Sequence, residues 1–232
     1  MTEEKTTKTK IELPNLEEML KAGAHFGHRP SKWNPKMEPY IFTSRNNIHI
    51  IDLEKTYQSL EKAVEFVSSI KAKKGTILFV GTKAAAKEIT ASAAKQCEMP
   101  YVTERWLGGT LTNFKIISQR LEYFRDLESK KKEGGLAKYT IKEQHDYDIE
   151  LRKLQQQFGG IKNMTKIPDA LLIIDIKHEK TAVREAKAKK IPVIGICDTN
   201  ADPTEVDYPI CANDDASSCL KLIIGVIAKT LK

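Results

Sequence analysis

Several features that mark whole classes of protein are missing from this sequence. No apolar run approaches the ~20 residues that a transmembrane helix needs, so no membrane-spanning segment is expected. The first ten residues are polar and carry both charge signs, so we expect no targeting signal. The cysteines show no Cys-x-x-Cys spacing, and we interpret all four as reduced structural thiols of a cytoplasmic protein; they are Cys97, Cys197, Cys211 and Cys219.

Nucleotide and metal motifs are missing as well. Neither Gly-x-Gly-x-x-Gly nor Gly-x-x-x-x-Gly-Lys-Ser/Thr occurs. His25 and His28 have a His-x-x-His spacing, but the glycines around them disfavour a helix, so a metal there is the weaker interpretation. Lys83 is predicted at a helix start, where it could meet an RNA phosphate or belong to an ordinary turn. No cofactor is predicted.

The composition describes a folded, basic chain. Of 232 residues, 41% are hydrophobic, which is enough for a core. Lys and Arg number 38 against 31 Asp and Glu, a net charge of +7. An excess of this sign favours an anionic partner, nucleic acid first and a membrane surface second.

Apolar runs alternate with helical patterns along most of the chain. This alternation predicts an α/β fold, a doubly wound and mostly parallel sheet of flavodoxin or Rossmann type. Strands are predicted at 47–51, 76–80, 100–103, 170–174, 191–196 and 206–210, and helices at 16–22, from 53 to about 67, 83–96, 179–189 and 217–231. Asp52 is the predicted N-cap of the second helix.

The segment 105–166 interrupts this alternation. Apolar residues step by three and four on both sides of a Lys/Gly-rich turn, which predicts an inserted antiparallel coiled-coil hairpin. The predicted domains are a flexible arm at 1–15, an α/β domain at 16–104 and 167–232, and the hairpin at 105–166. The insertion has 13 Lys and Arg against 8 Asp and Glu. A solvated coiled coil is slightly favoured over a basic prong that grips nucleic acid.

An acidic stretch follows the penultimate predicted strand. Residues 198–220 contain six Asp and Glu and no Lys or Arg. Asp175, Asp198 and Asp202 are candidate Mg²⁺ ligands, because open α/β sheets bind ligands where their strands end. Turn and capping roles are the favoured alternative for Asp202, Asp214 and Asp215, since no general base or phosphate-binding group accompanies them.

The segment 21–50 interleaves cations with planar rings. We favour an RNA-contacting loop over a core-flanking one, because phosphates need cations and unstacked bases need flat partners. The candidate residues are Lys21, His25, His28, Arg29, Lys32, Trp33, Lys36 and Arg45.

The decapeptide 105–114 joins the predicted sheet to the predicted hairpin. Arg105 could bind a phosphate and Trp106 could stack on a base. Gly108-Gly109 is predicted to turn the chain out of the sheet, and Thr112 or Asn113 to cap the next helix.

These motifs together resemble one family. The chain is similar, from about 16 to 232, to the bacterial type of the S-two family of small-subunit ribosomal proteins. The segments that carry the resemblance are Leu20–His28, Trp33–Pro35, Arg45–Asp52, Arg105–Phe114, Gly159–Met164, Pro168–Asp175, Glu179, Glu185 and Ile191-Pro192.

The resemblance implies a structural constituent of the small ribosomal subunit. It implies binding to 16S-type rRNA, contact with other small-subunit proteins, support for translation and docking of the mRNA-binding protein S-one. No enzyme activity, membrane partner or homo-oligomer is expected, and the location is the cytoplasm. Two alternatives stay open: a Mg²⁺-dependent or nucleotide-binding enzyme using Asp175 and Asp198, and an interaction protein without RNA contact.

Overall fold

The computed structural model describes residues 13–135 and 139–232. The strands are β1 (Ile41–Arg45), β2 (Ile48–Ile51), β3 (Ile77–Val80), β4 (Tyr101–Val102), β5 (Ala170–Ile174), β6 (Val193–Cys197) and β7 (Tyr208–Cys211). The helices are α1 (Leu16–Lys21), α2 (Leu53–Ala72), α3 (Ala84–Gln96), α4 (Phe114–Lys132), α5 (Ile141–Phe158), α6 (Lys180–Lys189) and α7 (Ser217–Leu231). None of the helices in these ranges is long and apolar enough to cross a bilayer.

The central sheet is parallel, with strand order β4-β3-β5-β6-β7. Helices cover both of its faces, so β3, β5 and β6 are buried along their whole length. This arrangement confirms the predicted doubly wound α/β fold, with the strand order of the flavodoxin type.

Side chains of each strand alternate between two cores. Phe79 and Leu172 face the core built with α2, α3 and α7. Leu78, Val80 and Leu171 face the second core, which receives α6 and the inner stripes of α4 and α5. This period of two explains why the strands read as continuous apolar runs: both faces are packed.

The two-stranded hairpin β1–β2 differs from the sequence prediction. Only the second strand was predicted, and as a buried one, whereas most of β2 is half-buried and β1 is largely exposed. Asn46 and Asn47 have φ of 50° and 60°, the conformation of a type I′ turn. Paired asparagines tolerate this conformation, so the Asn-Asn pair was the signal for the missed hairpin.

Helices α4 and α5 lie between β4 and β5 in the chain and pack on each other. Their inward side chains are buried, namely Ile117, Leu121, Phe124 and Leu127 of α4 with Leu151, Leu154 and Phe158 of α5. Residues 136–138 of the predicted turn lie outside the described ranges. The coiled coil and the domain boundaries stay predictions.

The predicted arm at 1–15 overlaps the described part of the chain only at its end. Leu13 packs against the first core and Pro14 is buried. Asn15 forms a capping box with Glu18 at the start of α1. Residues 13–15 therefore belong to the packed domain, and residues 1–12 lie outside the described ranges.

Gly160 allows the return from α5 to approach the edge of the sheet closely. A Cβ on this residue would lie 2.1 Å from the Tyr101 carbonyl oxygen. Gly160→Ala should therefore lower the free energy of unfolding by about 1–3 kcal/mol in urea denaturation, since backbone must move. Gly225→Ala is the control: no atom lies within 4 Å of that position in α7, so alanine should stabilise by up to ~1 kcal/mol. Equal effects of the two substitutions would contradict this packing.

Candidate nucleic-acid interface

The basic segment, residues 24–34, is fastened by hydrogen bonds across the carboxyl ends of the parallel strands. The backbone N–H of His28 donates to Thr199 Oγ1 at 2.8 Å, and the N–H of Asn34 donates to the Thr199 carbonyl at 2.8 Å. Farther back, the Asn213 N–H donates to the Ala24 carbonyl at 3.2 Å. These bonds fix the position of residues that would otherwise form a free loop.

Gly27 is required for this close approach. A Cβ there would lie 2.5 Å from Thr199 Cγ2 and 3.2 Å from Asp198 Oδ1. The Gly27 N–H also donates to the carbonyl of His49 in β2, at 2.9 Å. The segment is thereby linked to the β1–β2 hairpin as well as to the edge of the sheet.

His28 lies between two aspartates of the edge. Its Nδ1 is 2.9 Å from Asp198 Oδ2, and its Nε2 is 3.7 Å from Asp215 Oδ2. The hydrogen bond to Asp198, with the nearby negative charges, raises the pKa of His28 against the opposing effect of burial. Asp198 itself is buried and also accepts from Thr199 Oγ1.

Lys83 pairs with the other acidic residues of this edge. Its Nζ lies 2.6 Å from Asp214 Oδ1, 2.6 Å from Asp215 Oδ1 and 3.4 Å from Asp175 Oδ2. Burial alone would lower the pKa of Lys83, but these carboxylates raise it, so the ammonium stays charged. A lysine committed to three carboxylates is a poor candidate for a phosphate contact.

One group of side chains at this edge could hold a divalent cation. Ligand atoms of His28, Asp198 and Asp215 all lie within 4.8 Å of one another, and nitrogen with carboxylate oxygen suits a transition metal. The predicted Mg²⁺ set is not brought together in this way. Asp202 instead caps a 3₁₀ turn and pairs with Lys36 at 2.7 Å, and Asp175 pairs with Lys83.

The favoured capping roles are correct only in part. Asp202 accepts from the Thr204 N–H at 3.0 Å, as a turn cap does. Asp214 does not cap α7, because its buried carboxylate is bound to Lys83. Asn213 takes the turn role instead and accepts from the N–H groups of Asp215 and Ala216.

Five predicted cations are exposed and have no acidic partner among residues 13–135 and 139–232. Lys36 is not one of them, because Asp202 holds it. Arg29 and Lys32 lie on the fastened segment, and Arg45 lies at the tip of β1. The full set is Lys21, Arg29, Lys32, Arg45 and Arg105.

Trp33 and His25, two of the predicted RNA contacts, have different surroundings. Trp33 is half-buried, with its ring centroid 5.5 Å from that of His49. His25 is half-buried against Phe26, and burial lowers its pKa, which favours the neutral ring. Of these residues, Trp33 keeps a partly open ring beside free cations.

The structure contradicts the predicted stacking role of Trp106. Its side chain is 7% exposed, and its Nε1 donates to Glu185 Oε1 at 3.1 Å. The ring is therefore part of the second core and not available to stack on a base.

The Glu185 carboxylate organises the whole turn that follows Trp106. It accepts from the N–H groups of Gly109, Leu111 and Thr112 and from the Thr112 hydroxyl, at 2.8–3.1 Å. Burial would raise the pKa of Glu185, but the hydrogen bonds outweigh burial and lower it.

The chain turns at Gly109, whose φ of +93° favours glycine. Asn113 is the N-cap residue of α4, but its side chain makes no capping hydrogen bond. The Thr112 hydroxyl is used by Glu185.

Sequence reasoning missed two groups of residues here. Glu185 was noted only as part of a family motif, since a lone glutamate in a helix carries no signal for a distant turn. Lys177 and Lys180 follow the carboxyl end of β5 and are exposed. Their position after a buried strand was a usable signal.

Comparison with known proteins settles the family. The family model for ribosomal protein S2 matches residues 19–232. The chain belongs to the ribosomal protein S2 family. This confirms the resemblance seen in the sequence, including its bacterial type, and it makes the chain a structural ribosomal protein rather than an enzyme.

Curated relatives of this family cover most of the chain. Small ribosomal subunit protein uS2 of Marinobacter nauticus is 48% identical over 93% of this chain and 86% of its own length. The protein of the same name from Hahella chejuensis is 49% identical over 92% and 85%. That from Dehalococcoides mccartyi is 45% identical over 94% and 89%.

Glu185→Gln should destabilise the protein by about 1–3 kcal/mol. The five donors around Glu185 would meet a neutral amide, which has one acceptor oxygen and an NH₂ group that cannot accept. Since the folded pKa of Glu185 is lowered, its stabilisation is present above the usual value of 4.5 and is lost as pH falls through the folded pKa. The difference between wild type and variant in chemical denaturation should shrink on acidification. Glu122→Gln, an exposed change on α4, should be within ~0.5 kcal/mol. A pH-independent difference for Glu185→Gln would contradict the assignment.

Proposed function

We propose that this chain, as a constituent of the small ribosomal subunit, binds 16S-type rRNA in the cytoplasm through its carboxyl-edge face. This face is defined by Arg29, Lys32, Trp33 and Arg45. The observation that carries the proposal is that some cations here are paired with aspartates and others are not. Lys36 and Lys83 form ion pairs with aspartates. In contrast, Arg29, Lys32 and Arg45 are exposed and have no acidic partner in the described ranges.

The edge therefore has an inner layer of paired charges and an outer layer of exposed cations. The inner layer is less negative than its aspartates alone would make it, because Lys83 and His28 pair with them and burial raises the pKa of Asp214 to about 7. The outer layer is positive, so a polyanion meets cations before it meets carboxylates. An acidic edge without this cover would repel RNA.

The mechanism of binding is electrostatic, with a contribution from stacking. Guanidinium and ammonium groups replace the counterions of the phosphates, and the release of those ions favours association. Trp33 adds a flat apolar surface for an unstacked base. The backbone bonds of His28 and Asn34 to Thr199 reduce the loss of conformational freedom on binding.

The docking of protein S-one, which the resemblance implies, is a second proposal. The support is exposed apolar surface on two elements: Leu20 of α1 is 52% exposed and Phe42 of β1 is 75% exposed. Burial of these apolar side chains against apolar groups of a protein partner would be favourable, whereas RNA phosphates offer them no such partner.

Removing the outer cations should weaken rRNA binding and its salt dependence. The triple variant Arg29→Ala, Lys32→Ala, Arg45→Ala should lower the slope of log K against log salt by roughly 2–3, since each lost phosphate contact removes about 0.7–0.9. Filter binding of 16S rRNA between ~50 and 200 mM salt measures the slope.

The matched control removes three exposed lysines of α2 and its C-terminal end, Lys62, Lys71 and Lys73. The charge change is the same, so its slope should stay near that of wild type. If both triple variants lower the slope equally, binding is not localised to the carboxyl-edge face.

Leu20→Ser with Phe42→Ser should reduce the retention of S-one on small subunits by roughly tenfold or more, because anchor residues of an interface dominate its affinity. Ile141→Ser, at an 88% exposed position on α5, should leave retention unchanged. Quantitative pull-down with reconstituted subunits measures both. Normal retention by the double variant would move the S-one contact elsewhere.

A further inference from the structure

A cleft at the carboxyl edge of the sheet extends beyond the face described above. It has a volume of about 390 Å³ and lies between the fastened basic segment and the connection from β5 to α6. Its lining includes Lys32, Trp33, Lys177, Lys180 and Asn200. Two of these, Lys177 and Lys180, belong to no site assigned so far.

The charge of the cleft is positive. Lys32, Lys177 and Lys180 are exposed, and none has an acidic partner within residues 13–135 and 139–232. Two acidic residues also line it, but Lys36 neutralises Asp202 at 2.7 Å. Glu205 is the remaining carboxylate, so three lysines face one acid.

The start of α6 adds to this positive charge. Glu179 occupies the N-cap position but makes no capping hydrogen bond, because its buried carboxylate accepts from the Thr82 hydroxyl. The first N–H groups of α6 therefore receive no capping bond from Glu179, and the positive end of the helix dipole lies beside Lys180. Anionic oxygen is the partner that such an end favours.

The opposite wall supplies a flat surface and an amide. The Trp33 ring lies 46° from the plane of His49, which limits its rotation on that side. The Asn200 amide nitrogen is 3.1 Å from His28 Nε2, and its buried Oδ1 has no hydrogen-bond partner in the described part of the chain.

We propose that this cleft holds one unpaired nucleotide of the small-subunit rRNA, with its base against Trp33 and the adjoining phosphates on Lys177 and Lys180. The inference rests on the proposed rRNA binding. A cleft of this size admits a single base but no duplex, and unpaired bases are the parts of RNA that proteins hold in such clefts. A free mononucleotide fits less well, since no phosphate-cradling glycine loop occurs here.

The test compares full-chain variants in binding to 16S rRNA at ~100 mM salt. Trp33→Ala should weaken binding by at least roughly fivefold through lost stacking, and Trp33→Phe should retain most of the affinity. Lys177→Gln with Lys180→Gln should weaken binding by roughly tenfold and lower the salt slope by about 1–2. Lys187→Gln with Lys190→Gln, at the far end of α6, is the charge-matched control and should stay within about twofold of wild type.

Cross-linking gives a readout that a folding defect does not imitate. In rRNA substituted with 4-thiouridine, the cross-linked peptide should contain Trp33 or Lys177–Lys180, and circular dichroism should show each variant folded. If wild type binds rRNA but neither Trp33→Ala nor Lys177→Gln with Lys180→Gln weakens binding, and no cross-link maps to these peptides, the cleft assignment is wrong while the proposed function stands. If wild type itself does not bind rRNA, the proposed function fails and the cleft assignment falls with it.

Discussion

Neutralisation of the buried carboxylates at the carboxyl edge of the sheet is the constraint on which the rest of this protein depends. Asp198 and Asp214 are almost inaccessible to solvent, and a buried charge needs a partner. Lys83 and His28 supply the partners, and His28 can do so only because Gly27 brings the basic segment against Thr199. The same contacts that satisfy the acids therefore position Arg29, Lys32 and Trp33 on the outside.

Another buried carboxylate fixes the turn through which the chain passes from the sheet to α4. Glu185 binds five donors from the turn 106–112 and so determines where α4 begins. Arg105, just before this turn, stays exposed. In both places an acid inside the fold holds backbone in position, and cations next to it remain free for an external polyanion. The buried acids therefore shape the chain, and the exposed bases are the groups to which the proposal assigns binding.

The sequence predicts the fold well because the signals are local. Apolar runs of β3, β5 and β6 and the stripe of α7 depend on neighbours a few residues away. The site is predicted only in part, since its pairs join residues that lie far apart in the chain, as His28 and Asp198 do. Nothing local distinguishes Lys36, which Asp202 consumes, from Lys32, which stays free. The same limit turned Trp106 into a candidate for stacking, although Glu185 and the second core enclose it.

Hydrogen–deuterium exchange of the full chain with and without 16S rRNA tests the central claim most directly, because it reports the contact surface without any substitution. The account predicts new protection in 27–45 and around 176–182, the segments that form the carboxyl-edge face and its cleft. Exchange in the C-terminal turns of α2 and α7, which lie at the opposite edge of the sheet, should stay unchanged. Protection confined to α2 and α7, with 27–45 unaffected, would contradict the account.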